Sequence, residues 1–445
     1  MKGSITIRSV LLKDFKSYER AELSLSPFSI LIGPNASGKS NAIEALRFIH
    51  EIADGRYIDD VYKDLVRRGA LRGSRRELVR EGEEDFVIEV KVEVGGKGDV
   101  YIDKWQVEIS TSPECKVKRE VLEREGESLP AYSTEIREGG APHTLGVRYN
   151  NFARGGKKPL VWVDDRKVVF AQINTPALFT TTRAQREIPK RIAGLQHALG
   201  NIFFLEPRPA RMRGYAPLTA DIRLESDGSN VSSILYDICE RQGSKDKVLE
   251  FVRGLPEGEI EDISFIKTER NDVMVQVRER FGKFIHTWDA AVLSDGTLRV
   301  LAIASALLSV PPGSLVVIEE IDNGVHPSRS QSLVERISEL VRRRSLRVLL
   351  TTHNPALLDA LPVNLWQGVI YCYRDVEESG TSHLIRLVDL PNYSSLVVRG
   401  SLGQLLSEGM LEKALGRQAK GVREATKHFL EWLKEQEWET SGVNK

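Results

Sequence analysis

Cysteine is scarce: the 445 residues include three, Cys115, Cys239 and Cys372, too far apart to form a C-x-x-C pair. That spacing offers neither a zinc site nor a disulfide framework, and it suits a reducing, cytoplasmic setting. Long apolar runs are missing too. The longest, around Leu298 to Pro312, contains Arg299 and falls short of the ~20 residues a membrane-spanning helix needs, so it reads as a buried core helix. From Met1 to Arg20, charged and apolar residues alternate, without the apolar block of a signal peptide. Net charge is absent as well. With 63 basic against 63 acidic residues, no global field draws the chain to nucleic acid or acidic lipid, and any anion-binding surface must be local. No fixed-period repeat occurs, and no heptad run is long enough for a coiled-coil arm.

What is present is a globular composition, 41% hydrophobic and 28% charged, in a chain too long for one ordinary domain. Three segments read as parts of one α/β head interrupted by insertions. Residues 1–54 begin with a strand and turn around Val10, Leu12 and Phe15. A short apolar strand (Phe28 to Ile32), a loop, and a helix with Ile43, Leu46, Phe48 and Ile49 at helical spacing follow. Residues 55–165 change texture. Lys63 to Arg80 predicts a helix or helical pair dense in arginine. Phe86, Ile88, Val90, Val92 and Val94 then alternate with charged residues at the period of a half-buried strand. Tyr101, Asp103, Trp105, Val107 and Ile109 repeat that period after a Gly95-Gly96 turn. A β-rich insertion is expected here, with an exposed loop from Gly139 to Lys158.

Residues 166–375 re-enter the head through an apolar strand, Val168 to Ala171. They cross a mostly helical lobe, about Arg183 to Gly254, and a strand-like stretch at Val273, Val275 and Val277. They end as loop, apolar helix, strand (Leu315 to Ile318), helix and strand (Val348 to Leu350). That alternation predicts a mostly parallel sheet with helices on its faces. Residues 376–445 form a mostly helical tail, with Val422, Ala425, Phe429, Trp432 and Leu433 on one face.

Four motifs carry the chemistry. Gly33-Pro34-Asn35-Ala36-Ser37-Gly38-Lys39-Ser40 fits G-x-x-x-x-G-K-[ST], preceded by a strand and followed by a helix. Its glycines let backbone N–H groups wrap phosphate oxygens at a helix N-terminus. Lys39 faces the β- and γ-phosphates, and the Ser40 hydroxyl ligates Mg²⁺. Leu315-Val316-Val317-Ile318-Glu319-Glu320 delivers two carboxylates to the carboxyl edge of the sheet, where ligands bind. One can hold Mg²⁺; the next can orient or deprotonate water. Leu293-Ser294-Asp295-Gly296-Thr297 precedes the apolar helix, with Ser294 as a natural N-cap. Leu350-Thr351-Thr352-His353-Asn354-Pro355 sets a histidine just past a strand.

In this order the four motifs resemble the ABC ATPase superfamily, and most closely its RecF, structural-maintenance-of-chromosomes (SMC) and OLD-like branch. Leu11-Leu12-Lys13-Asp14-Phe15-Lys16-Ser17-Tyr18 is similar to that group's opening segment, and Pro34 to Asn41 to its form of the Walker A loop. The resemblance covers residues 1–54 and about 165–375. It implies an α/β P-loop NTPase head of the ABC type, with a β-rich insertion and a helical lobe, that binds and hydrolyses ATP with Mg²⁺.

Residue by residue, the resemblance implies that Gly33, Pro34, Asn35, Ala36, Ser37, Gly38, Lys39, Ser40 and Asn41 bind nucleotide. Ser40, Glu319 and Gln172 would hold the metal, Gln172 because it follows the re-entering Val168–Ala171 strand. Glu319 departs from the Asp usual in transporters. Glu320 is then the catalytic carboxylate and His353 the γ-phosphate sensor. Ser294, Asp295 and Gly296 form the signature that acts on another subunit's ATP, and Asp322 opens the loop, to Pro327, that crosses to the partner. A head dimer, or a higher oligomer, is implied.

The densest basic stretch is Lys63, Arg67, Arg68, Arg72, Arg75, Arg76 and Arg80. It suits a nucleic-acid backbone, or a solvated face paired with Glu81, Glu83, Glu84 and Asp85. Arg342-Arg343-Arg344 suits the C-terminal dipole of the preceding helix. Three functions compete: an ATPase subunit of a prokaryotic defence or DNA-surveillance system with a separate effector such as a nuclease, a RecF-like repair ATPase that binds DNA directly, and a slow ATPase acting as a scaffold. A built-in Toprim nuclease is rejected, because no D-x-D pair follows His353.

Overall fold

A computed structural model describes residues 5–95, 99–135, 141–219, 223–253, 259–323, 329–375, 380–390, 393–411, 413 and 415. The Gly96 half of the expected turn, Gly139 and Gly140, Gly254, Gly324 to Pro327 and the apolar face from Val422 to Leu433 lie outside the described residues.

The head is a six-stranded sheet. Its spatial order is Ile202–Leu205, Leu315–Ile318, Arg347–Thr351, Phe28–Ile32, Val369–Arg374, Ser382–Arg386. The first five strands run parallel, and only the last pair is antiparallel. Parallel strands buried on both faces need apolar side chains throughout, and here successive residues enter two different cores. Ile30, Ile32, Val316, Ile318, Val348 and Leu350 pack on one side, against the helices Asp295–Ser309 and Ser330–Arg344. Leu31, Leu315, Val317 and Leu349 pack on the other, against Ile43, Leu46 and Ile49 of the helix Lys39–Ile52.

That second core is closed by an eight-stranded antiparallel sheet. The strands Tyr18–Ser24 and Ile5–Phe15 continue without a break into Asp85–Gly95, Val100–Ser110 and four more, the last being Leu160–Asp164. Leu12 pairs with Ile88 and Val10 with Val90. Phe48 of the P-loop helix meets Phe86 of this sheet edge-on, with ring centroids 5.9 Å apart. The strands read as an insertion therefore share a sheet and a core with residues 5–24.

Two further expectations are corrected. Ile202–Leu205 belongs to the head sheet rather than to the helical lobe, pairing in parallel with Leu315–Ile318. Val169–Gln172 is a short helix, not a re-entering strand. Its cause is Glu120, a fully buried carboxylate that accepts from Val169 N (2.7 Å) and Phe170 N (3.1 Å). Paired N–H groups aimed at one carboxylate are the start of a helix. Burial raises the Glu120 carboxyl above its ordinary range, and Tyr132 Oη, donating at 2.6 Å, opposes that.

No helix of the described residues is long and apolar enough to cross a membrane.

Candidate nucleotide site

The P-loop follows a strand whose five residues are all buried, so its start is fixed. Gly33 (φ 147°) and Gly38 (φ 118°) adopt conformations that favour glycine. A Cβ on Gly33 would fall 2.0 Å from Cys372 O, and one on Gly38 2.6 Å from Ser382 Oγ. Gly38 also leaves the helix without a side-chain cap, which frees its first N–H groups for an anion. The loop is propped from below. Tyr18 Oη donates to Gly38 O at 3.0 Å, Cys372 Sγ donates to Ser37 O at 3.3 Å, and Asn41 Nδ2 donates to Ser17 Oγ at 2.8 Å. Lys39 Nζ folds over the loop, donating to Gly33 O (2.7 Å) and Pro34 O (2.8 Å). Burial lowers its pKa, while the Cys372 thiol and the Glu320 carboxylate oppose the shift.

Asn35 to Asn41 line a cavity of about 1290 Å³ that also collects Glu319, Glu320, Thr351, Thr352 and His353, while Gly33 and Pro34 are absent from its described lining. Asn35 to Asn41, the two carboxylates and the histidine thus come together from three segments far apart in sequence. Glu320 sits at φ 50°, a left-handed conformation held by Thr351: Glu320 N donates to Thr351 Oγ1 (2.9 Å) and Ile321 N to Thr351 O (3.1 Å). Strained backbone of this kind persists only where its surroundings fix it, commonly at functional sites. Asn323 Nδ2 donates to the Glu320 carboxylate. His353 is exposed on the cavity wall.

Glu319 accepts from Arg47 Nη2 at 3.0 Å, and the same nitrogen donates to Glu206. Burial raises the Glu319 carboxyl above its ordinary range; Arg47 works against the shift, and the nearby Glu206 adds to it. Ser40, Glu206 and Glu319 line one side cavity of about 390 Å³. Among the described residues no group of three or more His, Cys, Asp or Glu could hold a metal alone. Oxygen donors with one or two carboxylates fit Mg²⁺, which is commonly shared with substrate phosphates and seldom caged by protein alone.

The other candidates lie elsewhere. Gln172 does not line the cavity: its Oε1 accepts from Asp164 N (2.9 Å), and its Nε2 donates to Asp164 O (2.8 Å) and Lys167 O (3.1 Å). Its carboxamide ties a turn together. Asp322 is buried, accepting from Thr352 Oγ1 at 2.6 Å, so it joins the carboxylate loop to the histidine loop of its own chain. Ser294 caps the helix Asp295–Ser309, accepting from Thr297 N at 3.0 Å, and Asp295 pairs with Arg213 at 2.5 Å. Ser294, Asp295 and Gly296 are absent from the described lining of the cavity.

Sequence reasoning missed Arg47 and Glu206. Arg47 carried a signal, because it lies two turns beyond Ser40 on the same helix face. Glu206 carried none locally: the parallel register Leu205↔Ile318 is what puts it beside Glu319. The basic stretch is also placed differently. Arg68, Arg72 and Arg75 pair with Glu51, Glu44 and Asp59, while of the expected acidic run Glu83 pairs with Arg80 and Asp85 with Lys118, which lies outside the basic stretch. Arg72, Arg76 and Arg80 line the nucleotide cavity.

Comparison with known proteins agrees with this geometry. The family described as "AAA domain, putative AbiEii toxin, Type IV TA system" matches residues 172–359, and the family described as "AAA ATPase domain" matches residues 6–93. The DNA replication and repair protein RecF of Enterobacter sp. (strain 638) is 36% identical over 80 residues, 16% of this chain. The RecF of Streptomyces avermitilis is 36% identical over 85 residues, 19% of this chain. The chain spans 22% of the length of each of these curated relatives. The SMC head domain from Thermotoga maritima aligns with a TM-score of 0.41 at 14% identity, covering 86% of this chain and 98% of that one. Together with the P-loop and the paired carboxylates on a parallel sheet, the two family matches mark an ATPase domain in this chain, which is similar to RecF over 80 to 85 residues.

Proposed function

We propose that the protein is a nucleotide-gated switch that hydrolyses ATP at a site completed by a second copy of itself. Gly33 to Asn41 bind the phosphates, with Lys39 turned from its own carbonyls to the β- and γ-oxygens. Ser40 and Glu319 hold Mg²⁺, which when bound neutralises charge developing on the phosphates. Glu320 orients the attacking water and takes its proton, and His353 donates to the γ-phosphate. Ser294 to Gly296 complete the site of the partner copy. The observation carrying this reading is the composition of the cavity: P-loop, carboxylates and histidine line it, while the signature residues of the same chain stand outside it.

The role we assign is the ATPase subunit of a prokaryotic defence or DNA-surveillance system, with a separate effector. The match to a family named for a toxin system supports it. A second reading, a RecF-like ATPase that loads on DNA directly, is favoured by the RecF relatives. ATP turnover with and without duplex DNA separates the two. A defence subunit triggered by something other than DNA predicts a rate indifferent to DNA alone; a rate that rises several-fold with DNA supports direct loading on DNA.

A further inference from the structure

Arg47 stands where a metal would compete with it. The guanidinium lies over the Phe204 ring, 4.4 Å from its centroid, a contact that fixes its plane. One of its nitrogens, Nη2, donates both to Glu319 at 3.0 Å and to Glu206. The Arg47 side chain is 12% exposed, and Ser40, Arg47, Glu206 and Glu319 line the same cavity. Two carboxylates on neighbouring parallel strands repel each other unless a cation lies between them. Arg47 is that cation here, and it uses an oxygen of the carboxylate that a divalent ion would need.

We propose that Arg47 is a latch on Glu319: a divalent cation binds by displacing the guanidinium from Glu319, and Glu206 retains it in the released position. Glu206 is then a positioning residue and not a metal ligand. This rests on the reading of Glu319 as the metal carboxylate. The device makes cation binding a switch between two pairings, Arg47 with both carboxylates or Arg47 with Glu206 alone. It links the P-loop helix, which carries Arg47, to Glu206, the residue that follows the edge strand Ile202–Leu205.

The test measures Mn²⁺ binding to the full chain saturated with a non-hydrolysable ATP analogue, using the paramagnetic resonance signal of free Mn²⁺. Arg47→Met should tighten Mn²⁺ binding about tenfold or more, the scale of one charge-assisted hydrogen bond. Arg47→Lys keeps the charge but gives up the planar guanidinium that lies over Phe204 and is held there between the two carboxylates, so it too should bind Mn²⁺ more tightly than wild type. Glu206→Gln should weaken binding, because Arg47 is left with Glu319 alone. The double variant should stay within about twofold of Arg47→Met, since an empty latch needs no retainer.

Unchanged or weaker Mn²⁺ binding in both Arg47 variants, at unaltered melting temperature, overturns the latch. If Arg47→Met melts early, Arg47→Lys alone decides. A double variant far weaker than Arg47→Met overturns the assigned role of Glu206 and makes it a ligand. Glu319→Gln is the separate control: wild-type Mn²⁺ binding in that variant removes the underlying reading instead.

Discussion

Replacing Lys39 with alanine should lower ATP affinity about a hundredfold or more, because it removes two charge-assisted contacts of roughly 1.5–3 kcal/mol each. The ammonium is already aimed by the loop it covers, with Gly33 O at 2.7 Å and Pro34 O at 2.8 Å. In the proposed mechanism, phosphate oxygens take the place of those carbonyls when nucleotide enters. Alanine leaves the strand before the loop and the helix after it intact, so the melting temperature should hardly move. Calorimetric titration with ATP measures the effect. Unaltered affinity in a folded Lys39→Ala protein would remove the P-loop assignment.

Glu320→Gln should keep MgATP bound yet slow turnover by about 10²- to 10⁴-fold, the usual worth of a positioned general base. Glutamine fits the space of glutamate and keeps the hydrogen bond from backbone N to Thr351 Oγ1, so the loop at φ 50° should survive. What is lost is the carboxylate that can accept a proton from water. Glu319→Gln should instead weaken metal-dependent nucleotide binding. Single-turnover phosphate release, set beside nucleotide affinity, reads both. The opposite pattern, with Glu319→Gln impaired only in turnover and Glu320→Gln in metal binding, would exchange the two roles.

The parts of this site that were legible in the sequence are those whose chemistry is written in consecutive residues. Gly33 to Ser40 states its backbone needs and its charge in eight positions, and Leu315 to Glu320 states a buried strand ending in acid. Alternation was equally plain in Phe86 to Val94, and the strand is there, with Phe86, Ile88, Val90 and Val92 buried. Its period could not say which sheet it joins. Pairing of Leu12 with Ile88 is a long-range choice, made by the apolar face over the P-loop helix.

Short apolar runs failed for a different reason. Val168 to Ala171 suits strand or helix equally, and Glu120, nearly fifty residues upstream, decides for helix by binding two of its N–H groups. Gln172, read as a metal ligand on the strength of that strand, lost its rationale with it. Ile202 to Leu205 gave no alternation to read, so Glu206 became visible only through its parallel neighbour.

The claim at the centre is that one chain cannot complete the site. It is tested most directly by mixing two inactive variants, Lys39→Ala, which cannot hold ATP, and Ser294→Arg, which cannot serve a partner's ATP. In a mixed dimer, the intact P-loop of the Ser294→Arg copy meets the intact signature of the Lys39→Ala copy, giving one complete site. Each parent alone should show no ATPase activity, and the mixture should regain part of it, rising with the fraction of mixed dimer. A mixture as inactive as its parents, where subunit exchange has been demonstrated by a tag on one variant, would contradict the shared site and leave Ser294 as a helix cap alone.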